Sequence, residues 1–293
     1  MRWKNTNRSS NIEDRRGQQM ASSGMPAGIL MRLLPLLLRT KIGRVVLLVG
    51  GAYFAFQYFT GGLMTPAPAS LSQSGSTNSL SANDENAQFV AAILGTTETV
   101  WQQLLPQSTQ QTYREPKLVL YNDMTSTGCG VGQAQSGPFY CPADSKIYID
   151  LGFIGELKKL GAPGDFAFAY VIAHEVGHHV QNLLGTSTRV RQLQNSGDKV
   201  SANQLSVALE LQADCFAGIW GHYVNQQLQL LDEGDLQEGI AAASAVGDDR
   251  LQKMAGRAVQ PEAFTHGSSA QRTLWFKTGF DSGDMARCDT FGN

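Results

Sequence analysis

The sequence has no surplus of positive charge. Its 293 residues contain 23 lysines and arginines against 25 aspartates and glutamates, so the formal net charge at pH 7 is -2. Surfaces that bind nucleic acid usually carry a basic patch or a basic overall balance, and we therefore expect no nucleic-acid partner. Internal repeats are also absent. The simplest organisation for a chain of this length is one membrane segment followed by one sizeable domain.

Charged side chains are absent from residues 45–64, a stretch long enough to cross a hydrocarbon core of about 30 Å as a helix. Nine basic residues precede this stretch, and the next basic residue is Arg114. The positive-inside rule then predicts a single-pass cell-membrane protein with a cytoplasmic N-terminus and a periplasmic or extracytoplasmic domain. A cleaved signal peptide is the alternative, with residues 67–69 as a candidate cleavage site next to an unfavourable proline.

Residues 65–83 lack aliphatic periodicity and are rich in Pro, Ser, Asn and Gly, which is typical of a flexible tether. The predicted division is a cytoplasmic basic segment at 1–44, a transmembrane helix at 45–64, a linker at 65–83 and one domain at 84–293.

Within the domain, short runs at 117–121 and 146–151 predict strands, while residues 84–105 and most of the chain after 166 predict helices. The predicted fold class is α+β, mostly helical with a small antiparallel strand region. Strand 146–151 is a candidate edge strand that aligns an extended peptide by backbone pairing. A buried scaffold strand has the same pattern.

The chain contains only four cysteines. Cys129 and Cys141 bracket a Gly-containing loop that a disulfide would stabilise by about 3 kcal/mol, which leaves Cys215 and Cys288 as a second pair. Four cysteines allow three connectivities, and the sequence does not choose among them. Four reduced thiols in a cytoplasmic domain would conflict with the charge asymmetry around residues 45–64.

Histidines are also scarce, yet two of the five stand four residues apart in the segment His174-Glu175-Val176-Gly177-His178. Residues 165–184 predict a helix, with Asp165 as N-cap and Gly185 as C-cap. On a helix, His174 and His178 share one face and can offer two imidazoles to a single Zn²⁺, with Glu175 placed to polarise a water molecule. A helix with two hydrogen-bonded histidines is the structural alternative.

A third ligand is expected from a second apolar helix, predicted at 205–223. It carries Glu210 and Asp214, and a buried carboxylate needs a partner. We expect Glu210 to bind the metal and Asp214 to orient His174 through its other ring nitrogen. An exposed helix face is one alternative. Cys215 is a rival ligand, but it lies about 140° around the helix from Glu210.

Four segments together resemble the bacterial putative neutral zinc metallopeptidase family, over nearly all the chain after residue 84. They are residues 174–181 (HEVGHHVQ), 210–218 (ELQADCFAG), 247–252 (GDDRLQ) and 265–272 (THGSSAQR). The zinc pattern, H-E-x-x-H followed by E-x-x-x-D, is that of gluzincins. The resemblance implies a zincin-like domain with Zn²⁺ held by His174, His178 and Glu210.

His266 lies in the last of these segments. Gluzincins commonly place a late histidine or tyrosine over the zinc, where it donates a hydrogen bond to the developing oxyanion, so the resemblance implies a catalytic role for His266. A surface position in a loop that caps the following helix is the alternative.

The function expected from these residues is that of a membrane-anchored zinc peptidase, expected to be an endopeptidase, acting on protein or peptide substrates. The alternative is a zinc-stabilised binding or chaperone-like module of the cell envelope that cleaves nothing. Glu175 favours the peptidase, because a purely structural zinc site needs no base.

Overall fold

The computed structural model of the chain describes residues 1–18 and 80–292. These residues form eight α-helices and six strands, which confirms the α+β class. The strands are β1 (Ile12–Asp14), β2 (Lys117–Tyr121), β3 (Met124–Thr127), β4 (Gly130–Gln133), β5 (Phe139–Cys141) and β6 (Lys146–Asp150). The helices are α1 (Glu85–Thr109), α2 (Phe153–Lys159), α3 (Asp165–Leu183), α4 (Thr186–Ser196), α5 (Lys199–Gln226), α6 (Asp235–Ala245), α7 (Asp248–Met254) and α8 (Ser269–Ser282).

The main sheet has four strands in the order β1-β2-β6-β5. Strands β1 and β2 pair in parallel, as do β2 and β6, whereas β5 is antiparallel to β6. The predicted antiparallel region is therefore correct only for β5–β6 and for the separate β3–β4 hairpin. Strand β6 is internal to the sheet, so the prediction of an edge strand at 146–151 is wrong. The edge on that side is β5, a segment for which the sequence predicts no strand.

Helix α3 lies at the centre of the helical part, and most of its residues are buried. It packs closely on α5 at Gly177. A Cβ atom at this position would lie only 2.9 Å from the Ala213 carbonyl oxygen, so the close approach depends on glycine. Helices α5 and α8 also meet backbone to backbone, since Gly218 lies against Phe276 and Gly279 against Cys215. These contacts hold α3, α5 and α8 at the short separations that the site requires.

The first 18 residues belong to the same compact unit as residues 80–292. Ile12 of β1 pairs with Leu118 of β2, and the Trp3 ring packs edge-on against Phe89 at a centroid distance of 5.2 Å. Within the described residues, Arg2, Lys4 and Arg16 form ion pairs with acidic residues of this unit. Arg16, for example, lies 2.6 Å from Asp84 of the same domain.

This packing corrects the predicted localisation. A single-pass topology would place residues 1–44 and 84–293 on opposite sides of a membrane, yet one sheet contains strands from both. Within the described residues, no helix combines the length and the apolar character that crossing a bilayer requires. The predicted span at 45–64 and most of the predicted linker at 65–83 lie outside the described residues.

All four cysteines form disulfides, Cys129–Cys141 and Cys215–Cys288. The first joins the β3–β4 turn to the edge strand β5, and the second joins α5 to the C-terminal segment. Cys215 is thus engaged in a disulfide and does not act as the rival metal ligand.

Candidate metal centre

Three predicted ligands converge where α3 meets α5. His174 Nε2 lies 3.2 Å from Glu210 Oε2, and His178 Nε2 lies 3.4 Å from Glu210 Oε1. The possible ligand atoms of these residues all lie within 4.8 Å of one another. The helical spacing of His174 and His178 places both rings on one face of α3, and the close approach at Gly177 brings Glu210 opposite them.

Asp214, one turn after Glu210 on α5, is completely buried, which excludes the alternative of an exposed carboxylate. Its Oδ1 lies 2.9 Å from His174 Nδ1. A carboxylate there accepts the Nδ1–H hydrogen, so Nε2 is the ring nitrogen that faces Glu210 and is available to bind a metal. The Tyr170 hydroxyl also donates to Asp214 Oδ1. Asp214 thus contacts His174 at the ring nitrogen that does not face Glu210.

The donor set and its charges suit a divalent cation. Burial lowers the pKa of His174, but the Asp214 charge and hydrogen bond and the hydrogen bond to Glu210 together raise it to about 10. The pKa of Glu210 is well below its ordinary value, because the two histidines outweigh the burial. A ring with a carboxylate at each nitrogen takes up a proton, and a cation would replace that positive charge. Two imidazoles and one carboxylate are a common catalytic Zn²⁺ ligand set.

Glu175 is buried beside the ligands. Burial raises the pKa of its carboxyl group, while the neighbouring His178 and His174 act in the opposite direction. Its side chain reaches the same cleft as His174, His178 and Glu210. A carboxylate with a raised pKa at this position is suited to accept a proton from water.

His266 lies at the rim of the cleft, in the loop before α8. Its Nδ1 is 3.2 Å from Asp248 Oδ1, while Asp248 Oδ2 accepts backbone N–H groups of Thr265 and His266 at 2.7 Å each. The hydrogen bond to Asp248 raises the pKa of His266 despite partial burial. Ser268 also caps the N-terminus of α8. The same loop therefore caps this helix and places His266 at the cleft.

The cleft has a volume of about 560 Å³ and opens between β5 and α4. Phe139 and Tyr140 of β5 line one side, and Val190 and Arg191 of α4 line another. Within the described residues, no strand pairs with the free side of β5. An extended peptide could therefore pair with this edge next to the metal ligands.

His179 holds β5 against α3. Its Nε2 faces the Arg114 carbonyl, which can only accept, so Nε2 carries the hydrogen and Nδ1 accepts from the Tyr140 hydroxyl at 3.1 Å. Asn182 donates to the same hydroxyl at 3.0 Å. Burial lowers the pKa of His179 to about 4, and the ring is neutral. His179 is therefore structural, as is His222, which contacts the Phe280 carbonyl.

The sequence profile described as "Putative neutral zinc metallopeptidase" matches residues 1–291. The chain belongs to this family. The family resemblance is thereby confirmed, and it extends to the first 83 residues as well. The family description implies Zn²⁺ as the metal and a peptidase as the class of protein.

Relatives of this metallopeptidase family member have names that give no activity. The chain is 53% identical to the uncharacterized protein YpfJ of Escherichia coli strain K12 over 300 residues, which cover 100% of this chain and 99% of that protein. It is 43% identical to the uncharacterized protein Rv2575 of Mycobacterium tuberculosis strain H37Rv over 213 residues, 69% of each chain. No solved structure matches the chain significantly.

Two further residues of this metallopeptidase centre lie in the segments 247–252 and 265–272, and the sequence alone predicts no role for them. Arg272 of α8 is buried and binds Asp214, and Asp248 of α7 holds His266. A buried Asp214 signals that some cation must neutralise it, but nothing local to residue 214 identifies an arginine 58 residues later. Asp248 is one of two adjacent aspartates, which look like an ordinary start of a helix.

Proposed function

We propose that this protein is a zinc-dependent endopeptidase that cleaves extended peptide segments bound along β5. The observation that supports this most directly is the convergence of His174, His178 and Glu210 beside the buried carboxylate of Glu175 in one cleft. A site that used zinc only for structure would need no such carboxylate. The open edge of β5 supports the choice of an extended peptide as substrate.

In the proposed reaction His174, His178 and Glu210 hold the metal. A bound Zn²⁺ supplies a Lewis acid that polarises the scissile carbonyl and acidifies water. Glu175 accepts the water proton on a carboxylate oxygen while the water oxygen bonds to the carbonyl carbon. The same carboxyl group then passes the proton to the amide nitrogen as the C–N bond breaks. His266, held by Asp248, donates a hydrogen bond to the carbonyl oxygen as negative charge develops there.

Cleavage within a chain, as opposed to cleavage at its ends, is supported by the way β5 would recognise substrate. Pairing along a strand edge uses backbone N–H and C=O groups, which occur at every position of a peptide. It does not depend on a free terminus. Peptides blocked at both ends are therefore the appropriate substrates.

The test uses the purified full-length chain, a library of quenched fluorescent peptides blocked at both ends, and metal analysis. Glu175→Gln should retain about one zinc per chain and lose about 10²- to 10⁴-fold in activity, because it removes the base but no ligand. Glu210→Ala should lose both zinc and activity. Glu233→Gln, an exposed site outside the cleft, is the matched control.

A chelator should abolish cleavage, and added zinc should restore it. Wild-type protein that binds one zinc but cleaves no peptide in the library would contradict the proposal and would favour the non-catalytic binding module. A Glu175→Gln protein with near wild-type activity would remove Glu175 from the base role.

A further inference from the structure

Gln181 lies one turn after His178 on α3, on the side that faces α5. Its side chain is completely buried, although a primary amide is costly to bury unless its polar atoms are bonded. Residues three apart on a helix are neighbours, so Gln181 can reach the ring of His178. The Gln181 Oε1 and the His178 Nδ1 are 2.9 Å apart.

The orientation of the Gln181 amide follows from its other partner. Gln181 Nε2 lies 2.7 Å from the Leu209 carbonyl oxygen. A backbone carbonyl can only accept, so the group that faces it must be the NH₂ of the amide. The carbonyl end of Gln181 therefore faces His178, and the reversed orientation would leave two acceptors in contact.

This orientation assigns the hydrogen of His178. Because Gln181 Oε1 can only accept, the His178 Nδ1 must carry a hydrogen and donate it. The lone pair of the neutral ring is then on Nε2, the atom that lies 3.4 Å from Glu210 Oε1. The hydrogen on His178 Nδ1 is thus determined by the Leu209 backbone carbonyl, which has no alternative protonation state.

We propose that Gln181 is a positioning residue for the metal centre, resting on the proposed role of His178 as a ligand. It fixes the tautomer and the ring plane of His178. Through Leu209, which directly precedes Glu210, it also ties α3 to the point on α5 where the third ligand projects. The two histidines therefore have different supports: the charged Asp214 orients His174, and the neutral amide of Gln181 orients His178.

The test measures zinc affinity of the purified full-length chain by competition with a chromophoric chelator, together with the visible spectrum of the Co²⁺-substituted protein. Gln181→Leu keeps the volume but removes the acceptor, and we expect about 10- to 100-fold weaker zinc binding with altered Co²⁺ bands. Gln212→Leu is the matched control. Gln212 contacts Gln181 at 3.2 Å and donates to the Cys288 carbonyl, but it has no hydrogen bond to a ligand. Its zinc affinity should stay within about twofold and its Co²⁺ spectrum unchanged.

Gln181→Glu separates the two roles of the amide and serves if Gln181→Leu does not fold. It keeps an acceptor for His178 Nδ1 and loses the donor to Leu209. Near wild-type zinc affinity in Gln181→Glu would support the orienting role, whereas equal losses in both variants would overturn it. Wild-type affinity and an unchanged Co²⁺ spectrum in Gln181→Leu would overturn the proposal altogether. Because these readouts are of metal binding, a wild-type protein that binds zinc without cleaving peptides would refute the peptidase proposal alone.

Discussion

The guanidinium of Arg272 binds both carboxylate oxygens of Asp214, with Nε 2.8 Å from Oδ2 and a terminal nitrogen 2.9 Å from Oδ1. Both side chains are buried. The charge that orients His174 is thus neutralised from α8, 58 residues further along the chain. The Tyr170 hydroxyl joins the same cluster by accepting from Arg272 at 3.2 Å.

Replacing Arg272 should therefore damage stability as well as metal binding. Arg272→Met would leave the buried Asp214 without its cation, and we expect a loss of about 3 to 5 kcal/mol in the free energy of unfolding, measured in urea. Arg257→Met, at an exposed arginine, is the control. The double variant Asp214→Asn with Arg272→Met should recover part of the stability. An Arg272→Met protein as stable as wild type would show that the ion pair is not needed to keep Asp214 buried.

Asp248 should set the alkaline limit of activity. Its hydrogen bond raises the pKa of His266, Glu210 acts in the same direction, and Arg272 opposes both. The protonated ring, which can donate from Nε2, therefore persists to higher pH than in an isolated histidine. In Asp248→Asn, the backbone N–H groups that Asp248 Oδ2 accepts would hold the amide oxygen toward the backbone, so the NH₂ group would face His266 Nδ1 and donate to it. The neutral ring would then carry its hydrogen on Nε2 and could still donate, so the alkaline limb of kcat/KM should be lost. The measurement is the pH profile of kcat/KM.

Asp249→Asn is the control for this profile, because Asp249 bonds Ser269 and does not contact His266. A His266→Asn protein should show no limb from this group. If the limb stays in place in both Asp248→Asn and His266→Asn, His266 is not the titrating donor.

Arg191 should favour substrates with a carboxylate near the scissile bond. It lines the cleft from α4, and within the described residues no carboxylate lies within 4.0 Å of its guanidinium. An exposed ion pair contributes up to about 1 kcal/mol, so Arg191→Gln should raise KM about 2- to 5-fold for peptides that carry Asp or Glu, with kcat unchanged.

Arg189 provides the matched control for this specificity test. It lies on the same helix but lines a neighbouring groove, and Arg189→Gln should leave KM unchanged. Peptides with a free or an amidated C-terminus would distinguish a side-chain carboxylate from a terminal one. Equal KM changes for neutral and acidic peptides in Arg191→Gln would contradict the expectation.

The first residues of the chain should contribute to the stability of the domain. Trp3 is nearly buried against Phe89, and Trp3→Ala should lower the free energy of unfolding by about 3 kcal/mol without changing zinc stoichiometry. Leu274→Ala, at a side chain that is 61% exposed, should have little effect. Chemical denaturation of the full-length variants measures both. An unchanged unfolding free energy in Trp3→Ala would show that this segment is not packed as described.

The sequence predicts contacts between residues that lie close together along the chain. It predicts few contacts between residues that are far apart in sequence. His174, Glu175 and His178 lie in one helix, where spacing alone determines which side chains share a face. Glu210 and Asp214 could be found because two carboxylates in an apolar helix require partners. Arg272 could not be assigned in this way, since its partner depends on how α8 packs on α5.

The sheet illustrates the same limit. Strand β1 has only three residues, two of them acidic, so it has no alternating apolar pattern to detect. Its parallel pairing with β2 joins residues more than 100 positions apart. The mistaken membrane topology has the same origin, because a linear pattern of charge does not reveal that Arg16 forms an ion pair with Asp84.

The centre contains residues as far apart as His174 and Arg272, which are separated by 98 positions along the chain. During synthesis the H-E-x-x-H helix therefore emerges well before the carboxylate that completes the ligand set, and before the arginine that neutralises Asp214. A nascent chain that ends between α3 and α5 contains His174, Glu175 and His178 but lacks Glu210. The order of residues thus delays assembly of the proposed metal site until α8 has been made.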